Sequence, residues 1–186
     1  MTRLIDPGAV VAAYVGIGMA LVVAVSFLLV IPIEPIYWAL AIPAGLLIGY
    51  YANQRSDRRT GPWLRILANG VFAGLVTGVT FAVLLLAVKG LFFVADNGYR
   101  DRSLGGSLTC QGGADCVYKR YLADGRGPDL TAAGVTDTAT FSAFYWGQQV
   151  STAGLLLVLT TAGGVGGAAV FGLARPRGPV ESRMEA

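Results

Sequence analysis

From Ala9 to Ile33 the chain carries no charged side chain. A helix needs about 20 mostly apolar residues to cross a hydrocarbon core about 30 Å thick. Three further uncharged stretches follow, Pro35 to Ala52, Ile66 to Val88 and Phe144 to Leu173, with the third continuing through Phe92, Phe93 and Val94. Such runs, repeated along one chain, restrict it to an all-α integral membrane protein with four transmembrane helices. The first run is too long for the apolar part of a secretory signal, and no convincing small-residue cleavage site follows it.

The distribution of charge gives the expected orientation. Short cytoplasmic connections collect Lys and Arg. The link between spans two and three holds Arg55, Arg58, Arg59 and Arg65; the tail adds Arg175, Arg177 and Arg183, and the N-terminus adds Arg3. Between spans one and two stands only Glu34. The expected layout is therefore N-in/C-in. It comprises an N-terminus over 1–8, spans over 9–33 and 35–52, a basic cytoplasmic loop over 53–65 and a third span with its outer extension over 66–95. An extracytoplasmic loop over 96–143, a fourth span over 144–173 and a tail over 174–186 complete it. Five basic residues in the long outer loop are offset by Asp96, Asp101, Asp115, Asp124, Asp129 and Asp137. The net charge of +3 is thus a topology signal and not a nucleic-acid footprint. Tyr37, Trp38, Tyr50, Tyr51, Trp63, Tyr145 and Trp146 all fall at expected water–lipid boundaries, where such side chains concentrate.

Both cysteines lie in the outer loop, in Cys110-Gln-Gly-Gly-Ala-Asp-Cys116. Gly112 and Gly113 permit the reversal that such a short closure needs, and an extracytoplasmic setting permits oxidation. A structural disulfide is expected. Redox catalysts more often use C-x-x-C spacing, and two thiolates supply only half a tetrahedral zinc shell. A short amphipathic helix is expected over Asp115 to Asp124, with Val117 and Tyr121 on one face and Gly125 as its stop. Thr136-Asp137-Thr138 is placed to cap a helix leading into the fourth span.

Glycine occupies 26 of 186 positions, about twice its usual share, and much of it lies in helical stripes. Gly45 and Gly49 in span two, Gly70, Gly74 and Gly78 in span three, and Gly163 and Gly167 in span four are at spacings that let helix backbones approach in lipid. Pro43 is expected to kink span two. On span four, Gln149, Thr152 and Thr160 share one stripe with Gly163 and Gly167. Such a polar stripe either lines a path or bonds neighbouring helices, and the second is the commoner use. A boundary ion pair between Glu34 and Lys89 is also expected.

Function is constrained mainly by absences. The chain has no histidine, and no Asp, Glu or Arg lies deep within a span. That removes the usual base of nucleophilic triads and the intramembrane carboxylate of proton relays. No cofactor or metal site is expected. The layout resembles that of tetraspan membrane proteins, without the Cys-Cys-Gly of tetraspanins or the C-x-x-C of quinone-linked disulfide-forming enzymes. Arg outnumbers Lys 12 to 2, a composition typical of a high-GC bacterial genome, so a bacterial inner membrane is the expected location. The expected partners are the lipid bilayer and other membrane subunits or a second copy, with no nucleic acid. The expected role is a non-catalytic accessory or scaffold subunit. A small channel using the span-four stripe is the first alternative, and a membrane enzyme of unknown chemistry the second.

Overall fold

The computed structural model describes residues 4–29, 34–56, 61–95, 110 and 112–174, and within them the side chains of all but 27–29 and 34–38. Among these residues the fold is all helical: α1 (Pro7–Leu29), α2 (Glu34–Arg55), α3 (Trp63–Ala95), α4 (Ala114–Ala123), α5 (Gly127–Ala132) and α6 (Thr138–Ala174). Three helical segments are long and apolar enough to cross a membrane: Pro7–Ser26, Trp63–Ala95 and Thr138–Ala174. α2 has 22 residues and runs on through Pro43.

Local sequence explains where the helices begin. Proline is pre-organised for a first turn and lacks an N–H that would otherwise be unmet. It stands at the start of α1 as Pro7, just ahead of α3 as Pro62, and in the first turn of α5 as Pro128. At α6 the Asp137 carboxylate accepts from the Thr140 amide at 2.8 Å, the bond of a helix N-cap. That cap starts the helix at Thr138, six residues ahead of the expected span. The added turns bury Phe141 and Tyr145. α4 ends as expected, because Gly125 takes φ 78°, a left-handed conformation that suits glycine. The short α5 was not anticipated from the sequence.

The chain divides into two compact units. The first comprises Met1–Val23, Pro32–Phe81 and Leu156–Ala186; the second comprises Ala24–Ile31 and Ala82–Leu155. In the first unit, small residues fill the interior. Ala9, Ala12, Ala52 and Ala73 are buried together with Ile48. Large apolar side chains point outward instead: Tyr14, Leu47, Leu64, Val158 and Leu173 are 60–78% exposed. A water-soluble fold buries such residues; this inverted pattern suits helices whose surroundings are lipid.

The second unit packs by a different chemistry. Phe93, Leu130, Val135, Phe141 and Tyr145 form its buried cluster, flanked by Val117, Tyr118, Tyr121 and Trp146. Ring centroids lie 4.8 Å apart for Phe93 and Tyr145 and 5.0 Å apart for Tyr121 and Phe141, the latter edge-to-face. The expected disulfide joins Cys110 to Cys116. Its loop rests on the end of α3, where the Gly113 N–H donates to the Phe93 carbonyl at 2.8 Å. Tyr145, expected at a lipid boundary, is buried in this cluster. Phe93 of α3 and Phe141 and Trp146 of α6 are its aromatic neighbours.

Candidate functional site

The most organised polar feature lies in the first unit, at residues from three helices. Asp6 immediately precedes Pro7 and accepts the first-turn Ala9 N–H on its backbone carbonyl at 3.0 Å. Asn53 lies in the last turns of α2, and Asn69 about two turns into α3. All three are buried, the two asparagines completely.

Their bonds form one connected set. The Asp6 N–H donates to Asn69 Oδ1 at 3.0 Å, and Asn69 Nδ2 donates back to Asp6 Oδ2 at 2.8 Å. Asn69 Nδ2 also donates to Asn53 Oδ1 at 3.3 Å. Asn53 Nδ2 in turn donates to the Gly49 carbonyl at 3.1 Å and across to the Ile66 carbonyl at 3.0 Å. Both amide groups therefore use oxygen and nitrogen together. A buried amide left unmet would cost several kcal/mol in an apolar setting; here every amide atom is engaged. The set fixes the start of α1, the end of α2 and the start of α3 to one another.

Asp6 escaped the sequence reading, which placed residues 1–8 in a cytoplasmic terminus. The signal was present in the Asp6-Pro7 pair, a cap followed by a first-turn proline. Nothing local, however, marks Asn69 as its partner 63 positions further along the chain. Arg120, on α4, is a second buried charged residue that hydrophobic patterning did not single out.

The residues singled out in the sequence are distributed as follows. A Cβ placed on Gly164 would stand 2.5 Å from the Gly70 carbonyl oxygen and 2.9 Å from the Gly74 Cα. On Gly49 it would meet the Gly164 carbonyl carbon at 2.7 Å, and on Gly163 the Ile42 carbonyl oxygen at 2.7 Å and the Gly45 Cα at 3.1 Å. On Gly167 it would meet the Tyr50 nitrogen at 2.8 Å, and on Gly78 the Leu157 Cα at 3.2 Å. The backbones of α2, α3 and α6 thus run within contact of one another at these glycines. Gly164 was not named among the packing positions, yet its backbone meets both α2 and α3.

The polar stripe of α6 divides between the units. Thr160 is completely buried in the first; Gln149 is buried and Thr152 half-buried in the second. Thr77, Thr80 and Thr161 each return their hydroxyl to the carbonyl four residues earlier, at 2.7–2.8 Å. Thr160 Oγ1 has no such partner among the described residues. Lys89 is half-buried, whereas the side chain of its expected partner Glu34 lies outside the described residues. The side chains of Tyr37 and Trp38, residues 96–109 of the outer loop and the tail from 175 lie outside them as well. No group of three or more metal-ligating side chains occurs among the described residues.

On and around α4 and α5 the exposed charged side chains are mostly paired. Lys119 bonds Asp115 one turn away. The Arg126 guanidinium lies 4.3 Å above the Tyr121 ring and 4.0 Å from Asp129. Asp137 is held below its ordinary value by the Thr140 amide first and then by the Thr140 hydroxyl. Comparison with protein-family models, curated proteins and solved structures finds no match for this chain.

Proposed function

We propose that this chain is a non-catalytic membrane protein of four spans, N-in/C-in, that serves as an accessory or scaffold subunit of a membrane complex. On this reading α2 is the second of the four spans, beside the three apolar segments already described, and its 22 residues, at 1.5 Å per residue, match the hydrocarbon thickness. A bacterial plasma membrane is the proposed location. The observation that carries the reading is the closeness of α2, α3 and α6 at Gly49, Gly70, Gly74, Gly163 and Gly164. Helix backbones in contact leave the interior to packing, and the amide set of Asp6, Asn53 and Asn69 adds hydrogen bonds between helix ends. Glycine stripes and interhelical amides are the means by which helices associate in lipid. Purification in a gentle detergent, with mass spectrometry of co-purifying chains, tests the role. Stoichiometric partner subunits are expected, and a lone monodisperse monomer would contradict it.

A second reading rests on Thr160. Its buried, unbonded hydroxyl is what a narrow polar path along α6 would offer to water or a solute. Reconstituted liposomes decide between the two. Solute flux that is lost on Thr160→Val or Gln149→Leu would establish the channel and displace the scaffold.

A further inference from the structure

At the end of the first unit where α2 finishes and α3 begins, two arginines lack an anionic partner among the described residues. Asn53 bonds the Ile66 carbonyl at 3.0 Å, which sets the two helix ends side by side. Arg55 lies two residues beyond Asn53, and Arg65 one residue before Ile66. Arg55 is exposed and Arg65 half-buried. Neither forms an ion pair with any described residue. In the second unit, by contrast, Lys119 and Arg126 both have carboxylate partners within the chain.

Exposed apolar side chains occur at the start of α3 next to Arg65 in the sequence and near the end of α6. Trp63 is 41% exposed, and its ring lies over Gly172 of α6, where an added Cβ would come within 2.6 Å of it. Leu64 and the neighbouring residue of Gly172, Leu173, are 70% and 78% exposed. Indole rings settle at the headgroup level of a bilayer. Guanidinium groups match phosphate oxygens in a two-pronged geometry. A phosphate with acyl chains attached satisfies both halves of this surface, whereas water satisfies only one.

We propose that Arg55 and Arg65 form the headgroup site of an anionic phospholipid, with Trp63 at headgroup depth and Leu64 and Leu173 against the acyl chains. The inference requires that the spans lie in a bilayer, and it holds for either orientation.

The test uses the full chain in mild detergent with equimolar phosphatidylglycerol and phosphatidylcholine of identical acyl chains. Bound lipid is counted by native mass spectrometry. Phosphatidylglycerol is expected in excess over phosphatidylcholine. Arg55→Gln and Arg65→Gln should each reduce that excess roughly fivefold, the weight of one basic residue near an anionic surface. Arg126→Gln, which alters an arginine already paired, should leave it unchanged. Inorganic phosphate in large excess should not displace the lipid. Equal retention of the two lipids by the wild-type chain overturns the proposal without any variant. An undiminished excess in the glutamine variants, with helical circular dichroism intact, or displacement by inorganic phosphate overturns it as well.

Discussion

The two units of this chain solve the same packing problem with opposite materials. In the first, alanines, glycines and amides lie inside while Leu47, Leu64, Val158 and Leu173 face outward. In the second, Phe93, Phe141 and Tyr145 lie inside, a disulfide staples the loop, and ion pairs decorate the surface. The contrast lies in what fills the interior, because Val83, Leu91 and Val150 of the second unit face outward as well. Lipid offers no hydrophobic gain for burying a leucine, so close contact and interhelical hydrogen bonds must hold the helices together. Where water is the surroundings, aromatic burial is worth roughly 25 cal/mol per Å².

The contrast can be broken most forcefully at Gly49. Gly49→Val puts a branched side chain into the Gly164 backbone of α6. Such overpacking should cost about 3 kcal/mol or more, read as loss of the folded state in detergent unfolding. Asn69→Ala comes next. It takes a donor from the Asp6 carboxylate and from the Asn53 amide oxygen in the interior, and should cost about 2–3 kcal/mol. Chemical denaturation in micelles measures it. A loss no larger than that of a surface alanine substitution would mean that the amide set is incidental.

In the second unit the expected effects are smaller and local. Replacing Cys110 and Cys116 by serine together should cost about 2 kcal/mol, the entropy of so short a closed loop. Hydrogen exchange should quicken in α4 while the amides of α1 stay protected. Asp137→Asn is the mildest change. The Asp137 carboxyl is held below its ordinary value of 3.8 by bonds from Thr140. A lowered folded-state value means the stabilisation is whole above that ordinary value and fades as pH falls through the lowered one. The variant should therefore melt slightly earlier than wild type at pH 7. The gap should close as the pH drops below about 4, the ordinary carboxylate range.

How far the sequence carried depends on range along the chain. The helices were legible because uncharged apolar runs of such length have few other fates, and the Cys110–Cys116 bridge because its glycine-bearing loop permits closure. The cap of α6 at Asp137 and the helix it starts are legible locally, but the partners of that helix are not. The helix extends back to Thr138 since Phe141 finds Tyr118 and Tyr121 to pack against, partners that no helical period displays. The Asp6–Asn69 pair was hidden for the same reason. An aspartate just ahead of a proline-started helix announces itself; the residue that fixes it lies two helices away. Gly164 belongs to the glycine run of span four, but four-residue spacing does not reveal that Gly163 and Gly164 together present adjacent faces to α2 and α3.

The central claim, that glycine-to-backbone contact closes the first unit, meets its most direct test within α6 itself. A Cβ added at Gly154 would have nothing within 4 Å, while one added at Gly164 would meet backbone from α3 within 2.5–2.9 Å. Unfolding free energies of Gly164→Ala and Gly154→Ala, measured side by side in the same detergent, isolate the contact from helix propensity. The account predicts a loss of about 2 kcal/mol at Gly164, against no loss or a gain of up to about 1 kcal/mol at Gly154. Equal effects at the two glycines would contradict it.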